Sequence, residues 1–426
     1  MKKKNELSEV KPEIRVKTRE QVDELIKKAL TDTTGNATAK LFGEVLLFAH
    51  EARTSDIHLE PDKTEARIRL RIDGILHDYF TIEPELHKRM IALLKIRSHM
   101  RTDEHRAPQD GRDSFESPNG TVDVRASTMP TNTGEKAVLR LLSSESHKLT
   151  LEQLGFEKGD YEKILRGIHK PWGMILTTGP TGLGKTTTIY AILEILNKRS
   201  INISTIEDPV EFFISGINQS QVDSSAKLTF AKGLRSLVRQ DPDVIMVGEI
   251  RDEETAQIAV NAALTGHKLL STLHTNNAAT TIPRLLDMGV EPFLLASTIN
   301  VAVSQRLMRR ACDSCKKKKE HSRADLEAGL DKITIDLLFQ GKSKLSLVEV
   351  EGCKECNNTG YHGRVGIYEV LEVTEAIQKL IVKRASSKEI EDVAVEEGMT
   401  TLLQNGVEKI LEGETTIEEF IRVMKE

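Results

Sequence analysis

The segment with the clearest chemical meaning in this 426-residue chain is a glycine-rich loop that ends in a lysine and two threonines. The loop consists of Gly179, Pro180, Thr181, Gly182, Leu183, Gly184, Lys185, Thr186 and Thr187. It satisfies the pattern G-x-x-x-x-G-K-[ST], in which backbone N–H groups surround phosphate oxygens, a lysine meets the β- and γ-phosphates and a hydroxyl binds Mg²⁺. An apolar strand at 174–176 precedes the loop and a helical pattern over 187–197 follows it. This order predicts a site for ATP and Mg²⁺, with Thr186 as the magnesium ligand, and makes a purely structural turn the weaker alternative.

Two glutamates follow apolar strands and could serve hydrolysis. Glu207 ends the strand at 201–206, and Glu249 follows the strand at 244–247. Because ligands bind at the carboxyl ends of parallel strands, both are predicted to act on the attacking water or on the metal. Gly248 occupies the position where an aspartate usually holds Mg²⁺, so the metal would be reached through Glu249 or through water. The neighbouring Asp208 could instead cap a helix that begins at Pro209.

Two histidines flank another apolar strand. His267 and His274 are seven residues apart, which places them on opposite faces of an extended strand and argues against a shared metal ion. A histidine near the γ-phosphate of a nucleotide can respond when that phosphate is released. A lone histidine is also commonly a structural hydrogen-bonding group. The residues by themselves leave both alternatives open.

All four cysteines of the chain lie in two C-x-x-C pairs: Cys312, Cys315, Cys353 and Cys356. Each pair offers two thiolates from one tight turn, so two pairs complete a tetrahedral sulfur site for a structural zinc ion. Two disulfides are the alternative, which a reducing compartment disfavours. The adjacent lysines at 316–319 are expected to form a solvated surface or a contact with a partner.

The patterning divides the chain into five segments. These are a polar basic tail at 1–36, an α+β segment at 37–145, an α/β core at 150–311, a tetracysteine insertion at 312–366 and a helical region at 367–426. In the second segment, apolar residues alternate with arginines over 66–73, which is typical of a strand. From residue 150, apolar strands alternate with helical patterns, as in a parallel sheet covered by helices.

Composition excludes several classes of protein. The net charge is only −5 and the chain has 1 Trp, 5 Tyr and 11 Phe, which disfavours a protein that coats nucleic acid or stacks bases. No apolar stretch is long enough for a membrane-spanning helix, and the basic N-terminus lacks the apolar segment of a secretory signal. A cytoplasmic location is therefore expected.

Four segments in a fixed order resemble the secretion ATPases, the motors of type II secretion and type IV pilus assembly. They are GPTGLGKT at 179–186, IEDPVE at 206–211, RQDPDVIMVGEIRD at 239–252 and TGHKLLSTLHTN at 265–276. Further similar segments lie at 55–61, 71–74, 109–112, 125–128, 398–400 and 413–419. The resemblance covers about residues 40–426.

The resemblance implies a RecA-like P-loop ATPase core preceded by a PAS-like domain, in a homohexamer that acts on an inner-membrane platform protein. The chain would then lie in the cytoplasm, peripherally at the inner face of the cell membrane. By their positions in these segments, Glu207 and Glu249 would act on the attacking water and the metal ion, and His267 would be part of the nucleotide site. Arginines from the first domain would reach phosphate, with Arg112 and Arg125 favoured over Arg71.

A tetracysteine insertion resembles assembly motors rather than retraction motors, so the sequence predicts an assembly motor that uses ATP, Mg²⁺ and Zn²⁺. Two alternatives remain. One is a RecA-like DNA-transfer or helicase-type ATPase, which DNA-stimulated hydrolysis would favour. The other is a nucleotide-binding ring without turnover.

Overall fold

The computed structural model describes residues 18–32, 35–142, 149–327 and 329–425. Most of the predicted basic tail and the polar stretch at 143–148 lie outside these residues. The chain divides at residue 145 into two compact units, 1–145 and 146–426. The five-segment division predicted above stays a prediction.

The first unit is an antiparallel sheet with helices on one face. Its helices are α1 (Arg19–Thr31), α2 (Asn36–Glu51) and α3 (Pro84–Arg97); its strands are β1 (Thr54–Pro61), β2 (Ala66–Ile72), β3 (Ile75–Ile82), β4 (Gln109–Ser117), β5 (Gly120–Thr131) and β6 (Gly134–Leu142). The strand order is β3-β2-β1-β6-β5-β4. As the alternation over 66–73 predicts, buried and partly exposed residues alternate along β2. Its apolar face packs with the helices into one core, and its arginines lie on the other face.

The second unit is built on a mostly parallel seven-stranded sheet. Its strands are β7 (Gly173–Thr178), β8 (Ile203–Glu207), β9 (Asn218–Gln221), β10 (Val244–Val247), β11 (Lys268–Leu273) and β12 (Ile299–Ala311). After a separate two-stranded sheet of β13 (Lys316–Ser322) and β14 (Lys344–Val350), β15 (Tyr361–Glu372) completes it. The strands of the larger sheet are ordered β15-β12-β7-β11-β10-β8-β9, and only β15 runs antiparallel to its neighbour. Every residue of β7, β8, β10 and β11 is buried, as continuous apolar runs predict for strands covered on both faces.

Helices cover both faces of this sheet. They are α4 (Leu151–Leu154), α5 (Lys158–His169), α6 (Lys185–Leu196), α7 (Phe230–Leu237), α8 (Glu253–Leu264), α9 (Thr281–Asp287) and α10 (Pro292–Thr298). Two separate apolar clusters result, one on each face of the sheet. The observed architecture is therefore mixed α/β.

The two longest strands of this sheet were not predicted from the sequence. β12 and β15 pair along almost their whole length, and β15 crosses the expected boundary between 366 and 367. The two C-x-x-C pairs flank a hairpin of β13 (Lys316–Ser322) and β14 (Lys344–Val350), with α11 (Arg323–Leu326) and α12 (Lys332–Phe339) between its strands.

After β15 the chain is helical, as predicted. The helices are α13 (Glu375–Val382), α14 (Ser387–Glu396), α15 (Leu402–Leu411) and α16 (Ile417–Lys425). Within the described ranges, no helix combines the length and the hydropathy needed to traverse a bilayer.

Candidate functional site

The predicted phosphate loop connects β7 to α6 at the carboxyl edge of the sheet. β7 ends at Thr178 and α6 begins at Lys185, so the loop lies at a helix N-terminus, where backbone N–H groups and the helix dipole favour an anion. Gly184, in the left-handed conformation, directly precedes this helix. Thr186, the predicted magnesium ligand, lies half-buried in the first turn of α6.

The lysine of this loop is largely buried. Its Nζ donates hydrogen bonds to the carbonyl oxygens of Gly179 and Pro180, at 2.7 and 2.8 Å. Burial lowers the pKa of Lys185 to about 8, and the negative charge of Glu249 partly opposes this change. The lysine is therefore inside the loop and electrostatically coupled to one of the two predicted carboxylates.

Glu249 projects beside the phosphate loop from the turn that follows β10. Its Oε2 lies 2.6 Å from Nε of Arg251 and 3.3 Å from Nε2 of His274, and its side chain is 12% exposed. The backbone on either side is fixed to β11, because Thr272 donates its hydroxyl to the carbonyl of Gly248. Arg251 was not singled out from the sequence, although it stands two residues from Glu249.

A threonine pair brings His274 to the same edge. Thr178, the last residue of β7, accepts a hydrogen bond from the backbone N–H of Thr275 at 2.9 Å, and the two hydroxyls are 2.5 Å apart. The residue before the phosphate loop and the residue after His274 are therefore hydrogen-bonded to each other. Of the two histidines that the sequence left undecided, His274 is the one that contacts Glu249.

His267 lies at the opposite edge of the sheet. It precedes β11, and its backbone carbonyl accepts a hydrogen bond from the N–H of Gly173 at the start of β7. Its Nδ1 lies 2.9 Å from the carbonyl oxygen of Ala262, the arrangement of a structural histidine. Six strand residues at about 3.3 Å each separate it from the carboxyl edge, so the structure does not bring His267 to the phosphate loop of its own chain.

Glu207 ends β8 in a buried hydrogen-bond network and is only 2% exposed. It accepts hydrogen bonds from the hydroxyl of Tyr190 on α6, from the hydroxyl of Thr205 at 2.6 Å and from the amide of Gln219 at 3.2 Å. Burial raises the pKa of Glu207, against the effect of these three donors. Tyr190, which was not predicted as a site residue, also accepts a hydrogen bond from the N–H of Glu211.

Packing explains why a glycine, Gly248, precedes Glu249. A Cβ added to Gly248 would lie 3.3 Å from the Cα of Glu207 and 3.3 Å from the ring of Phe230. An aspartate would be tight against both, so Glu207 or Phe230 would have to shift by a few tenths of an ångström to admit it. The suggested helix cap at Asp208 is wrong, because no helix begins at Pro209.

The first unit aligns four arginines and an aspartate in one row across five strands. Strand register pairs Arg112 with Arg125, Arg125 with Arg140, Arg140 with Asp56 and Asp56 with Arg71. Directly opposed residues of antiparallel strands share a face, so this row lies together on one side of the sheet. Asp56 is 2.9 Å from Arg140 and 3.8 Å from Arg71, whereas Arg112 is exposed at the β4 end. Arg140 was missed because nothing local distinguishes it from other strand arginines.

The four cysteines converge as predicted. Their sulfur atoms all lie within 4.8 Å of one another, and three of the separations are 3.7, 3.8 and 3.9 Å. A tetrahedral Zn²⁺ site with Zn–S bonds of about 2.3 Å has S–S edges of about 3.8 Å. The cysteines are free thiols, so the disulfide alternative is wrong for this structure.

The backbone around Cys356 favours its thiolate form, whereas burial raises the pKa values of Cys312 and Cys315. Cys356 is buried, which by itself raises its pKa, yet the N–H groups of Cys353 and Gly360 donate to its sulfur and lower the pKa to about 7. The donor set is therefore chemically suited to zinc.

Comparison with known proteins identifies close relatives. The profile of the family described as "Type II/IV secretion system protein" matches residues 32–422. The type IV pilus assembly ATPase PilB of Myxococcus xanthus is 43% identical over 94% of this chain and 70% of its own length. PilB of Thermus thermophilus is 44% identical over 98% of this chain, which spans only 46% of that relative. The type II secretion system protein E of Pseudomonas aeruginosa is 44% identical over 91% of this chain and 75% of its own length.

Solved structures agree with this result. The crystal structure of the pilus retraction motor PilT with bound ADP is 28% identical, with a TM-score of 0.60 over 89% of this chain and 95% of that one. The ATPase DotB of Legionella pneumophila, at 20% identity and a TM-score of 0.63 over 88% of this chain and 93% of that one, shares the fold. These relatives favour a secretion or pilus motor over the DNA-transfer and helicase alternative.

Proposed function

This chain belongs to the type II/IV secretion system protein family, and we propose that it is the ATP-hydrolysing motor that drives assembly of a type IV pilus or a type II secretion pseudopilus. It is an ATPase of this family. The observation that carries the proposal is the convergence of Lys185, Glu249 and His274 at one sheet edge, in a chain 43% identical to a pilus assembly ATPase over 94% of its length.

Each residue at this edge has a role that follows from its position. The loop N–H groups and Lys185 bind the β- and γ-phosphates of ATP, and Thr186 and Glu249 are oxygen donors suited to Mg²⁺. Mg²⁺, when bound, neutralises charge that develops on the phosphate oxygens. Glu249 orients the attacking water, and Arg251 and His274 hold its carboxylate in place. We assign His274 the role that the resemblance implies for His267, and we assign Glu207 to support of the loop after β8.

The arginine row of the first unit supplies positive charge from outside the phosphate-loop unit. We assign Arg112 and Arg125 to transition-state stabilisation, as the sequence predicts, and add Arg140, which lies in register between Arg125 and Asp56. Arginines supplied in this way accelerate phosphoryl transfer by ~10³–10⁵. Within this proposal the first unit is the PAS-like domain and the second contains the RecA-like core.

Replacing Arg112 and Arg125 singly with alanine tests this assignment. Loss of turnover, with ADP affinity and assembly retained, supports it. Unchanged kinetics in both variants would remove Arg112 and Arg125 from the chemistry, and unchanged kinetics in Arg140→Ala as well would remove the arginine row.

The cysteine cluster is proposed to hold one structural Zn²⁺ ion through Cys312, Cys315, Cys353 and Cys356. Such sites contribute on the order of 10 kcal/mol of local folding energy. Elemental analysis should find about one zinc per chain, and replacing Cys312 and Cys315 with serine should remove it while ADP binding persists. A folded native chain without zinc would contradict the assignment.

The working assembly is proposed to be a homohexamer bound to an inner-membrane platform protein, on the cytoplasmic side of the membrane. Light scattering of the purified chain with ATP tests the hexamer. Fractionation of cells with and without the platform protein tests the membrane association.

The central experiment is Lys185→Ala. Loss of the only lysine in the loop should reduce ATP turnover by at least ~10²–10³, because the transferring phosphate loses its buried cation. The matched control is Lys268→Met, which removes another buried lysine, one whose Nζ donates to the carbonyl of Ile168 at the far edge of the sheet. Near-normal hydrolysis by Lys185→Ala would overturn the site.

A further inference from the structure

A glutamine that no sequence motif marked is built into the phosphate loop. Gln305 lies on β12, one residue past Ser304, which is paired with Thr178 at the end of β7. It is 1% exposed, so its amide is excluded from water. Leaving a buried amide without hydrogen bonds costs about 1–3 kcal/mol of folding free energy. The hydrogen-bond partners of Gln305 therefore show which segments this side chain holds together.

Both ends of this amide are used. Nε2 of Gln305 donates to the carbonyl oxygen of Leu183 inside the loop at 2.6 Å, and Oε1 accepts from the hydroxyl of Thr188 on α6 at 2.7 Å. One side chain therefore joins the loop to the first turns of the helix that follows it. Because the loop and α6 together form the phosphate cradle, Gln305 determines their relative position.

Two loop glycines are shaped to this contact. A Cβ on Gly179 would lie 2.7 Å from the backbone oxygen of Gln305, and a Cβ on Gly184 would lie 3.2 Å from its Nε2. Both glycines have positive φ, at +140° and +83°. The motif thus places glycine at 179 and 184 partly because the loop packs on β12.

The same strand continues from the loop toward the C-terminal region. Beyond Gln305, Arg306 donates to the carbonyl of Val423. Arg309 donates from Nε and Nη2 to Oε2, and from its backbone N–H to Oε1, of the fully buried carboxylate of Glu419 on α16. The strand ends at Ala311, immediately before Cys312. β12 therefore connects Gln305 directly to the residues that anchor α16.

We propose that Gln305 is a positioning residue that sets the geometry of the phosphate loop and couples nucleotide binding to β12 and the C-terminal helices. The inference rests on the proposed nucleotide site. It adds a residue outside the four signature segments and a route from the site to the cysteine cluster.

The test compares Gln305→Met with Asn300→Leu in the full chain. Methionine keeps the length of the side chain but removes both hydrogen bonds. Asn300 is a matched control, since it is a buried amide at the other end of β12 that donates to the carbonyl of Trp172 at 2.8 Å. Gln305→Met should weaken ADP binding about tenfold, because two loop-ordering hydrogen bonds are lost. Asn300→Leu should lower the melting temperature but leave the ADP affinity of the folded protein unchanged.

Thr188→Val, which removes only the hydroxyl, should give part of the Gln305→Met effect. Its effect should be absent when combined with Gln305→Met, because both remove the same hydrogen bond. Equal ADP affinities for Gln305→Met, Thr188→Val and Asn300→Leu would overturn the inference.

Hydrogen exchange provides a readout that a purely structural role does not change. ADP should slow exchange of the amides of residues 306–310 in the native chain and in Asn300→Leu, but not in Gln305→Met. Protection that persists in Gln305→Met contradicts the coupling. If Lys185→Ala also leaves the ADP affinity unchanged, the proposed nucleotide site itself is wrong. If Lys185→Ala abolishes ADP binding while Gln305→Met binds ADP normally, only the inference about Gln305 is wrong.

Discussion

The ends of β8 and β10 look alike in the sequence and differ in the structure. Each is a buried apolar strand that leads to a glutamate at the same edge of the sheet. Glu207, however, is enclosed by Tyr190, Thr205 and Gln219, whereas Glu249 lies between Arg251 and His274 beside the phosphate loop. An apolar strand followed by a glutamate therefore predicts that the carboxylate lies at this edge of the sheet. It does not predict which charged or polar groups surround that carboxylate.

The surroundings predict different chemistry for the two carboxylates. Glu249 is partly exposed and lies next to an arginine, so its carboxylate oxygens are available to orient water or bind Mg²⁺. Glu207 is a buried carboxyl group that accepts three hydrogen bonds and whose pKa is raised by burial, so it has at most one acceptor site left and holds its neighbours in place.

The largest expected effect is the contrast between Glu249→Gln and Glu207→Gln. Glu249→Gln should lower kcat by ~10²–10³ with ADP affinity nearly unchanged, because the water loses its orienting carboxylate. Glu207→Gln should lower kcat by less than about tenfold. Steady-state kinetics and ADP titration measure both, and a larger kcat loss for Glu207→Gln would reverse the comparison.

The pH dependence of nucleotide binding should also distinguish Glu249 from Glu207. Bound phosphate favours the ammonium form of Lys185, so above the pKa of about 8 binding requires proton uptake and the Kd for ADP should rise about tenfold per pH unit. Below that pH the lysine is already charged and the Kd should be flat. Since Glu249 raises the pKa of Lys185, Glu249→Gln should move the break to lower pH, and Glu207→Gln should not. An identical break in both variants would contradict the placement of Glu249.

The histidines test the same edge. His274→Ala should lower kcat about tenfold, because Glu249 loses one of its two hydrogen-bonding partners. His267→Ala should change kcat less than twofold while reducing thermal stability slightly. A large kcat loss for His267→Ala in a monomeric preparation would exclude the proposed exchange of roles.

The smallest effect is expected for Tyr190→Phe. Removing the hydroxyl leaves the buried Glu207 with two of its three donors, which should cost about 1–2 kcal/mol of folding stability. Denaturant unfolding measures this, and kcat should stay within about threefold of normal. A kcat loss as large as that of Glu249→Gln would show that the Glu207 network takes part in chemistry.

Features that depend on the local order of residues were predictable from the amino-acid sequence. The phosphate loop, the four buried strands around it and the two C-x-x-C pairs were all predicted, because backbone geometry and apolar runs are local properties. The helices after residue 372 also follow from local periodicity. In the first unit, the alternation over 66–73 was enough to predict one strand and its arginine face.

Contacts between side chains from distant segments were visible only in the folded chain. The choice of His274 over His267 depends on the direction of β11 in the sheet, and the enclosure of Glu207 depends on Tyr190 from a different element. Gln305 reaches the loop because β12 pairs with β7 across more than 120 residues of sequence, and Arg140 joins the arginine row only through strand register. Such contacts depend on how distant segments pack against each other. They produce no local periodicity or spacing in the sequence from which they could be predicted.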